Sequence, residues 1–129
     1  MFDFGGKTAL ITGASYGLGE EFAYAFAEAG ADLILTARSE ELLQAVAKKC
    51  RESGSKVTVV PGDIAIERDV QSVIEAGLAA HGQIDVLINN AGIADARGVA
   101  AEQFDAETFN RILSVDLAGA FYFARDCGR

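Results

Sequence analysis

The stretch LITGASYGLG, residues 10–19, stands where a short apolar run meets a long amphipathic segment. This order predicts a strand, a tight turn and a helix. The glycines at 13, 17 and 19 allow a sharp turn, a ligand close to the main chain, and close packing of helix on strand. Because the first N–H groups of a helix lack partners and lie at its positive end, the turn predicts a phosphate site. Taken alone, the spacing also fits an ordinary glycine-rich turn.

Composition limits the classes of protein to which this chain can belong. With 129 residues, 50% of them hydrophobic, it predicts one globular domain over residues 1–129. The formal net charge of −8 leaves no basic face for nucleic acid, and no apolar run reaches the length of about 18 residues that a membrane span needs. We therefore expect neither nucleic acid nor a membrane as a partner. The first residues lack the regions of a signal peptide, which predicts a cytoplasmic location.

Neither a metal site nor a redox pair is indicated by the sequence. Cys50 and Cys127 stand far apart, without Cys-x-x-Cys spacing. His81, the single histidine, has no evident ligand partners in the sequence. We expect two buried or unreactive thiols and no bound metal.

Strand and helix patterns alternate along the chain. Apolar runs at 7–12, 32–36, 57–60 and 84–89 predict four strands, each followed by a helical pattern. Helical crossovers between strands imply a parallel sheet with helices on both faces, in the order 3-2-1-4. The predicted fold is thus α/β, an incomplete Rossmann-like doubly wound sheet of four strands.

The helical periodicity also predicts which faces are buried. In the first helix the predicted inner face comprises Leu18, Phe22, Ala25, Phe26 and Ala29. The last helix, beginning near Asp105, shows an apolar stripe of Phe109, Ile112, Leu113, Leu117, Ala120, Phe121 and Ala124. Asp116 stands in the middle of this predicted inner face, where a carboxylate is unexpected.

The end of the second strand bears on the choice of cofactor. In a doubly wound sheet the ligand lies across the carboxyl ends of the strands, and an acidic residue after the second strand binds the ribose hydroxyls of NAD. Here the sequence is TARS at 36–39, with no acid. Arg38 instead favours the 2′-phosphate of NADP, so NADP is predicted and NAD is disfavoured. A solvated arginine at the start of a helix is the alternative interpretation.

A second motif, NNAG at residues 89–92, ends the fourth apolar run. Together with Thr12-Gly13-x-x-x-Gly17-x-Gly19 it strongly resembles the short-chain dehydrogenase/reductase family, over the chain from Lys7 to its last residues. The resemblance implies a nicotinamide-dependent oxidoreductase that interconverts a small-molecule carbonyl and an alcohol by hydride transfer. It also implies a homo-oligomer for the intact enzyme.

The resemblance assigns cofactor roles to residues along the chain. The pyrophosphate turn comprises Gly13, Ser15, Tyr16, Gly17, Leu18 and Gly19, and Tyr16 stands where many NADP-dependent members carry a basic residue. Arg38 and Ser39 belong to the 2′-phosphate end. Asp63 corresponds to the family's aspartate for the adenine amino group, with Ile64 beside the ring; its alternative role is to brace the turn at Pro61 and Gly62. Asn89 is implied to bond across the sheet, and Asn90, Ala91 and Gly92 to bring the main chain close to the adenosine ribose.

The residues that perform the family's chemistry are not visible in this sequence. Members use a serine and a Tyr-x-x-x-Lys pair as the acid/base group, whereas none of Tyr16, Tyr24 and Tyr122 has a lysine four residues later. The chain therefore resembles the amino-terminal half of such an enzyme, and we expect it to be inactive alone. Asp116 occupies the family's asparagine position, which makes it a candidate for the catalytic group; bonding a backbone group is the alternative. A non-catalytic nucleotide-binding or sensor module is the alternative function.

Overall fold

The computed structural model describes residues 2–94 and 97–129, and its centre is a parallel sheet of four strands. The strands are β1 (Thr8–Thr12), β2 (Asp32–Thr36), β3 (Val57–Val59) and β4 (Val86–Ile88). They lie in the order β3-β2-β1-β4, with Thr12 opposite Thr36. The predicted order 3-2-1-4 is confirmed. The carboxyl ends of the strands therefore share one edge of the sheet, where the sequence motifs lie.

Helices follow each strand. They are α1 (Gly17–Glu28), α2 (Glu40–Glu52), α3 (Glu67–His81), α4 (Ala106–Leu113) and α5 (Ala120–Cys127). A short 3-10 helix (Ala101–Gln103) precedes α4, and a π-helical segment (Ser114–Gly119) joins α4 to α5. The backbone stays helical at both junctions of that segment, so residues 106–127 form one continuous run, here called the last helical stretch. Asp105 caps it, because its carboxylate accepts a hydrogen bond of 2.8 Å from the Thr108 N–H.

The sheet separates two hydrophobic cores. Side chains alternate between the two faces of a strand, so Ala9 and Ile11 pack with α1 and α2, while Leu10 packs on the opposite face. That second face carries α3 and the last helical stretch, with Val70, Val115 and Phe123 buried in the core. The predicted arrangement of helices on both faces is confirmed.

The predicted inner faces of two helices are wrong in most positions, although Phe26 of α1 packs against the core as predicted. In α1 the buried residues are Gly19, Ala23 and Ala27, whereas the side chain of Leu18 is 69% exposed. Small residues let this helix approach the sheet closely, and the large apolar side chains beside them are left outside. In the last helical stretch Val115, Gly119 and Phe123 face the sheet instead of the predicted stripe. Four large side chains of that stripe are exposed, namely Phe109, Leu113, Leu117 and Phe121, whereas Ile112 is half-buried.

Candidate cofactor site

The glycine turn after β1 is closed by contacts that exclude any side chain. Gly13 has φ +63°, and a Cβ there would lie 2.9 Å from Cα of Ala91. A Cβ on Gly19 would lie 2.0 Å from the carbonyl oxygen of Gly13. The start of α1, the turn and the end of β4 are therefore in direct backbone contact.

Asn90 ties this turn to β4. Its side-chain Nδ2 donates hydrogen bonds to the carbonyl oxygens of Thr12 at 3.3 Å and Gly13 at 3.2 Å. The Oγ1 of Thr12 accepts hydrogen bonds from the N–H groups of Asn90 and Ala91, both at 3.0 Å. The resemblance assigned the bond across the sheet to Asn89, but Nδ2 of Asn89 donates to the carbonyl oxygen of Ala120, at 3.1 Å. Neighbouring residues at a strand end point to opposite faces, which explains this division.

A cavity of about 380 Å³ opens over the carboxyl ends of the strands. Its wall includes every proposed cofactor residue except Gly19 and Asn89. Gly19 packs beneath the turn, and Asn89 points toward α5. The other residues that line the cavity were not predicted from the sequence to bind the cofactor. They are Ala37, Leu42, Gly62, Ile93, Arg111 and Val115.

The phosphate end of the cavity is the start of α1. Tyr16 is the N-cap of this helix, and its side chain makes no capping hydrogen bond. A Cβ on Gly17 would meet nothing within 4 Å, so the space above the turn is open. An uncapped helix N-terminus facing open space fits a phosphate group.

Arg38 lies where β2 meets α2, on the wall of the cavity. Ser39 beside it is the N-cap of α2 and accepts a hydrogen bond of 3.3 Å from the Leu42 N–H. Within residues 2–94 and 97–129, Arg38 forms no ion pair. Its guanidinium group is exposed and available for an anion.

Asp63, which also lines the cavity, is held at three points. Its Oδ1 accepts a hydrogen bond of 3.0 Å from the Ala65 N–H, and its own N–H donates to Oδ2 of Asp69 at 2.9 Å. The Oδ2 of Asp63 pairs with the Arg111 guanidinium at 3.0 Å. Partial burial raises the pKa of this carboxyl, but the Ala65 N–H, Arg111 and Arg38 outweigh that effect, and the net shift is downward. The carboxylate braces the residues after it and also faces the cavity. Its position is therefore compatible with both a bracing role and a contact with a ligand.

A profile of the family described as short chain dehydrogenase matches residues 7–128. The chain belongs to the short-chain dehydrogenase/reductase family. A curated relative, 11-beta-hydroxysteroid dehydrogenase A from Sesamum indicum, is 38% identical over 124 residues, which is 95% of this chain and 35% of the relative. This chain therefore spans about a third of that relative.

Solved structures of the short-chain dehydrogenase/reductase family share this fold. The 3-ketoacyl-(acyl-carrier-protein) reductase from Brucella melitensis, complexed with NADH, superimposes with a TM-score of 0.90 at 36% identity, over 96% of this chain and 49% of that one. L-sorbose reductase from Gluconobacter frateurii, complexed with NADPH and L-sorbose, gives a TM-score of 0.89 at 31% identity, over 95% and 46%. Similar members thus bind either form of the nicotinamide cofactor, which supports a nicotinamide cofactor here.

Asp116 lies in the π-helical segment of this short-chain dehydrogenase/reductase chain and bonds a backbone group. Its Oδ1 accepts a hydrogen bond of 2.8 Å from the Ile93 N–H, just after the NNAG motif. The sequence placed this carboxylate on a buried apolar face, whereas the residue is exposed, because the stripe around it faces solvent. The contact anchors the segment after β4 to the last helical stretch.

Neither a bilayer-spanning helix nor a metal-binding cluster is present in the part of the chain that the structure describes. Among residues 2–94 and 97–129, no helix combines the length and the apolar character needed to cross a bilayer. The same part of the chain holds no group of three or more His, Cys, Asp or Glu side chains arranged for a metal ion.

Proposed function

We propose that this chain is the NADP(H)-binding portion, residues 1–129, of a short-chain oxidoreductase that interconverts a carbonyl and an alcohol by hydride transfer. Arg38 is the observation that carries the choice of NADP. Its guanidinium lies at the cavity wall, without an ion pair among residues 2–94 and 97–129, at the strand end where NAD-binding sheets place an acidic residue.

Each part of the cavity has a role in this proposal. The turn at 13–19 and the start of α1 would hold the pyrophosphate, and Ser15 would offer it a hydroxyl group. Asp63 and Ile64 would hold the adenine, while residues 90–92 would border the ribose. The nicotinamide ring, when bound, supplies or accepts the hydride. The residues described here bind and orient the cofactor.

The substrate would be a small-molecule ketone, aldehyde or alcohol, as L-sorbose is for the Gluconobacter relative.

We also propose a homo-oligomer, since the exposed stripe on the last helical stretch offers apolar surface for a second copy. Cys50 and Cys127 are free thiols, in keeping with a reducing cytoplasmic location.

The test of cofactor choice is a titration of NADPH and NADH against the wild-type protein and Arg38→Ala. A charge-assisted hydrogen bond contributes about 1.5–3 kcal/mol, so we expect a roughly ten- to hundredfold preference for NADPH. In Arg38→Ala the ratio of the NADPH affinity to the NADH affinity should fall close to one, while the affinity for NADH itself changes little.

A matched control is Arg68→Ala, an exposed arginine in the first turn of α3 outside the cavity wall. It should keep the wild-type preference. Equal affinities in the wild type, or an unchanged ratio in Arg38→Ala, would contradict the NADP assignment.

A second candidate function is a nucleotide-binding or sensor module without a reaction of its own. It is favoured by one sequence observation: no tyrosine of this chain is followed by lysine four residues later. A module would bind NADP and show no turnover in the intact protein with any of a panel of ketones and alcohols. Turnover in the intact protein would exclude it.

A further inference from the structure

One ion pair in the cavity joins elements that are distant in the sequence. Arg111 belongs to α4, and Asp63 to the segment between β3 and α3. Their side chains are 36% and 23% exposed, and both residues line the cavity. The pair therefore lies at the surface that the proposed adenine would contact.

Arg111 restrains the carboxylate oxygen of Asp63 that is not bonded within the segment between β3 and α3. The bonds with Ala65 and Asp69 fix one carboxylate oxygen and the backbone N–H of Asp63. Both come from residues close to it in the chain. The second oxygen is held by the Arg111 guanidinium at 3.0 Å, and this contact determines the plane of the carboxylate.

The last helical stretch also holds the neighbouring residue. A Cβ on Gly119 would lie 2.5 Å from Cγ1 of Ile64, and Val115 belongs to the same buried cluster as Ile64. Both members of the proposed adenine pair are thus positioned by the last helical stretch. Loss of Arg111 would leave Ile64 packed and would free only the second carboxylate oxygen of Asp63.

We propose that Arg111 is a positioning residue that orients Asp63 to accept a hydrogen bond from the exocyclic amino group of adenine. This inference rests on the proposed cofactor function. A carboxylate oxygen accepts more than one hydrogen bond, so the contacts with Arg111 and Ala65 leave room for the amino group. Hypoxanthine has a carbonyl oxygen at that position, which a correctly oriented carboxylate repels. Selectivity for adenine over hypoxanthine is therefore the property that Arg111 controls.

The experiment compares the binding of NADP⁺ and nicotinamide hypoxanthine dinucleotide phosphate by calorimetry. We expect the wild-type protein to prefer the adenine form about tenfold, as befits a hydrogen bond to a charged acceptor. In Arg111→Gln the preference should fall below about threefold. Arg125→Gln is the matched control, because it removes another ion-paired arginine of the last helical stretch, bound to Glu67 at 2.7 Å and outside the cavity. It should keep the wild-type ratio.

Two further variants complete the test. Arg111→Met removes the charge with little change in length, and whichever of the two Arg111 variants gives a cooperative thermal transition decides the result. In an Asp63→Asn background, Arg111→Gln should lower the ratio no further, since a positioning residue acts through its partner. A wild-type ratio in the folded Arg111 variants, or a further fall in the double variant, overturns the proposal. A wild-type protein that binds neither dinucleotide instead contradicts the proposed function.

Discussion

The hydrogen bond that Asp116 accepts from the Ile93 N–H indicates what this residue can contribute. An asparagine, the family's residue at this position, also has an Oδ1 that accepts such a bond. The carboxylate is exposed, so its charge is solvated and does not destabilise the last helical stretch. The geometry thus assigns Asp116 an anchoring role for the segment after β4.

Asp116→Asn should therefore leave the free energy of unfolding within about 0.5 kcal/mol of the wild type. In the intact enzyme, activity should stay equal or rise. Urea denaturation and steady-state kinetics measure the two effects. Asp116→Leu is the control, because it has a similar size without the acceptor and should cost about 1 kcal/mol. A large loss of activity in Asp116→Asn would show that the carboxylate itself takes part in the reaction.

Individual site residues differ in how far the sequence could predict them. Arg38 and the glycines at 13 and 17 follow a strand directly, so local pattern places them at the edge of the sheet. Arg111 carries no such signal, since its role depends on α4 lying beside the segment between β3 and α3. That Asn90, and not Asn89, bonds to the end of β1 likewise depends on the side to which each residue points after β4.

In two of the helices, the hydrophobic periodicity was not sufficient to predict which face is buried. Both α1 and the last helical stretch carry apolar residues on more than one face, and the hydrophobic period does not say which face meets the sheet. The small residues face the sheet because they allow the helix to pack close to it. They are Gly19, Ala23 and Ala27 in α1, and Gly119 in the last helical stretch. In α2, by contrast, the buried residues Leu43, Val46, Ala47 and Cys50 form one face, because the rest of that helix is mostly charged or polar.

The exposed stripe on the last helical stretch should promote self-association. Leu117, at its centre, is 66% exposed. Leu117→Glu should shift the protein toward monomer, measured by sedimentation velocity across a range of concentrations, because a charge opposes burial of this surface. Its thermal stability should change little, since the side chain makes few contacts within the chain.

Leu78→Glu provides the comparison for that variant. It alters a leucine on α3 that is 43% exposed and lies outside the stripe. This variant should associate as the wild type does. An equal shift in both variants would indicate a general effect of charge, and no shift in Leu117→Glu would place the contact between copies elsewhere.

At the scale of the whole molecule, the sheet order followed from the sequence because strands and helices alternate without interruption. Right-handed crossovers then leave few topologies for four parallel strands. The same topology brings the turn after β1, Arg38, Asp63 and Asn90 to one edge, although they are far apart in the chain. In the proposed function all of these groups bind the cofactor, and the chain spans about half of the solved family members it resembles.

The 129-residue chain should therefore bind the adenosine side of NADP weakly and catalyse no reaction. Calorimetry with adenosine 2′,5′-bisphosphate should give a dissociation constant of roughly 0.1–1 mM, equivalent to about 4–5.5 kcal/mol of binding free energy. Arg38→Ala should abolish this binding within the measurable range. NADPH oxidation with a panel of ketones should not exceed the buffer blank, because positioning without the acid/base group leaves little catalysis. Turnover by this chain would require a proton donor among its own residues, and Tyr16, at the mouth of the cavity, would be the first to replace by phenylalanine.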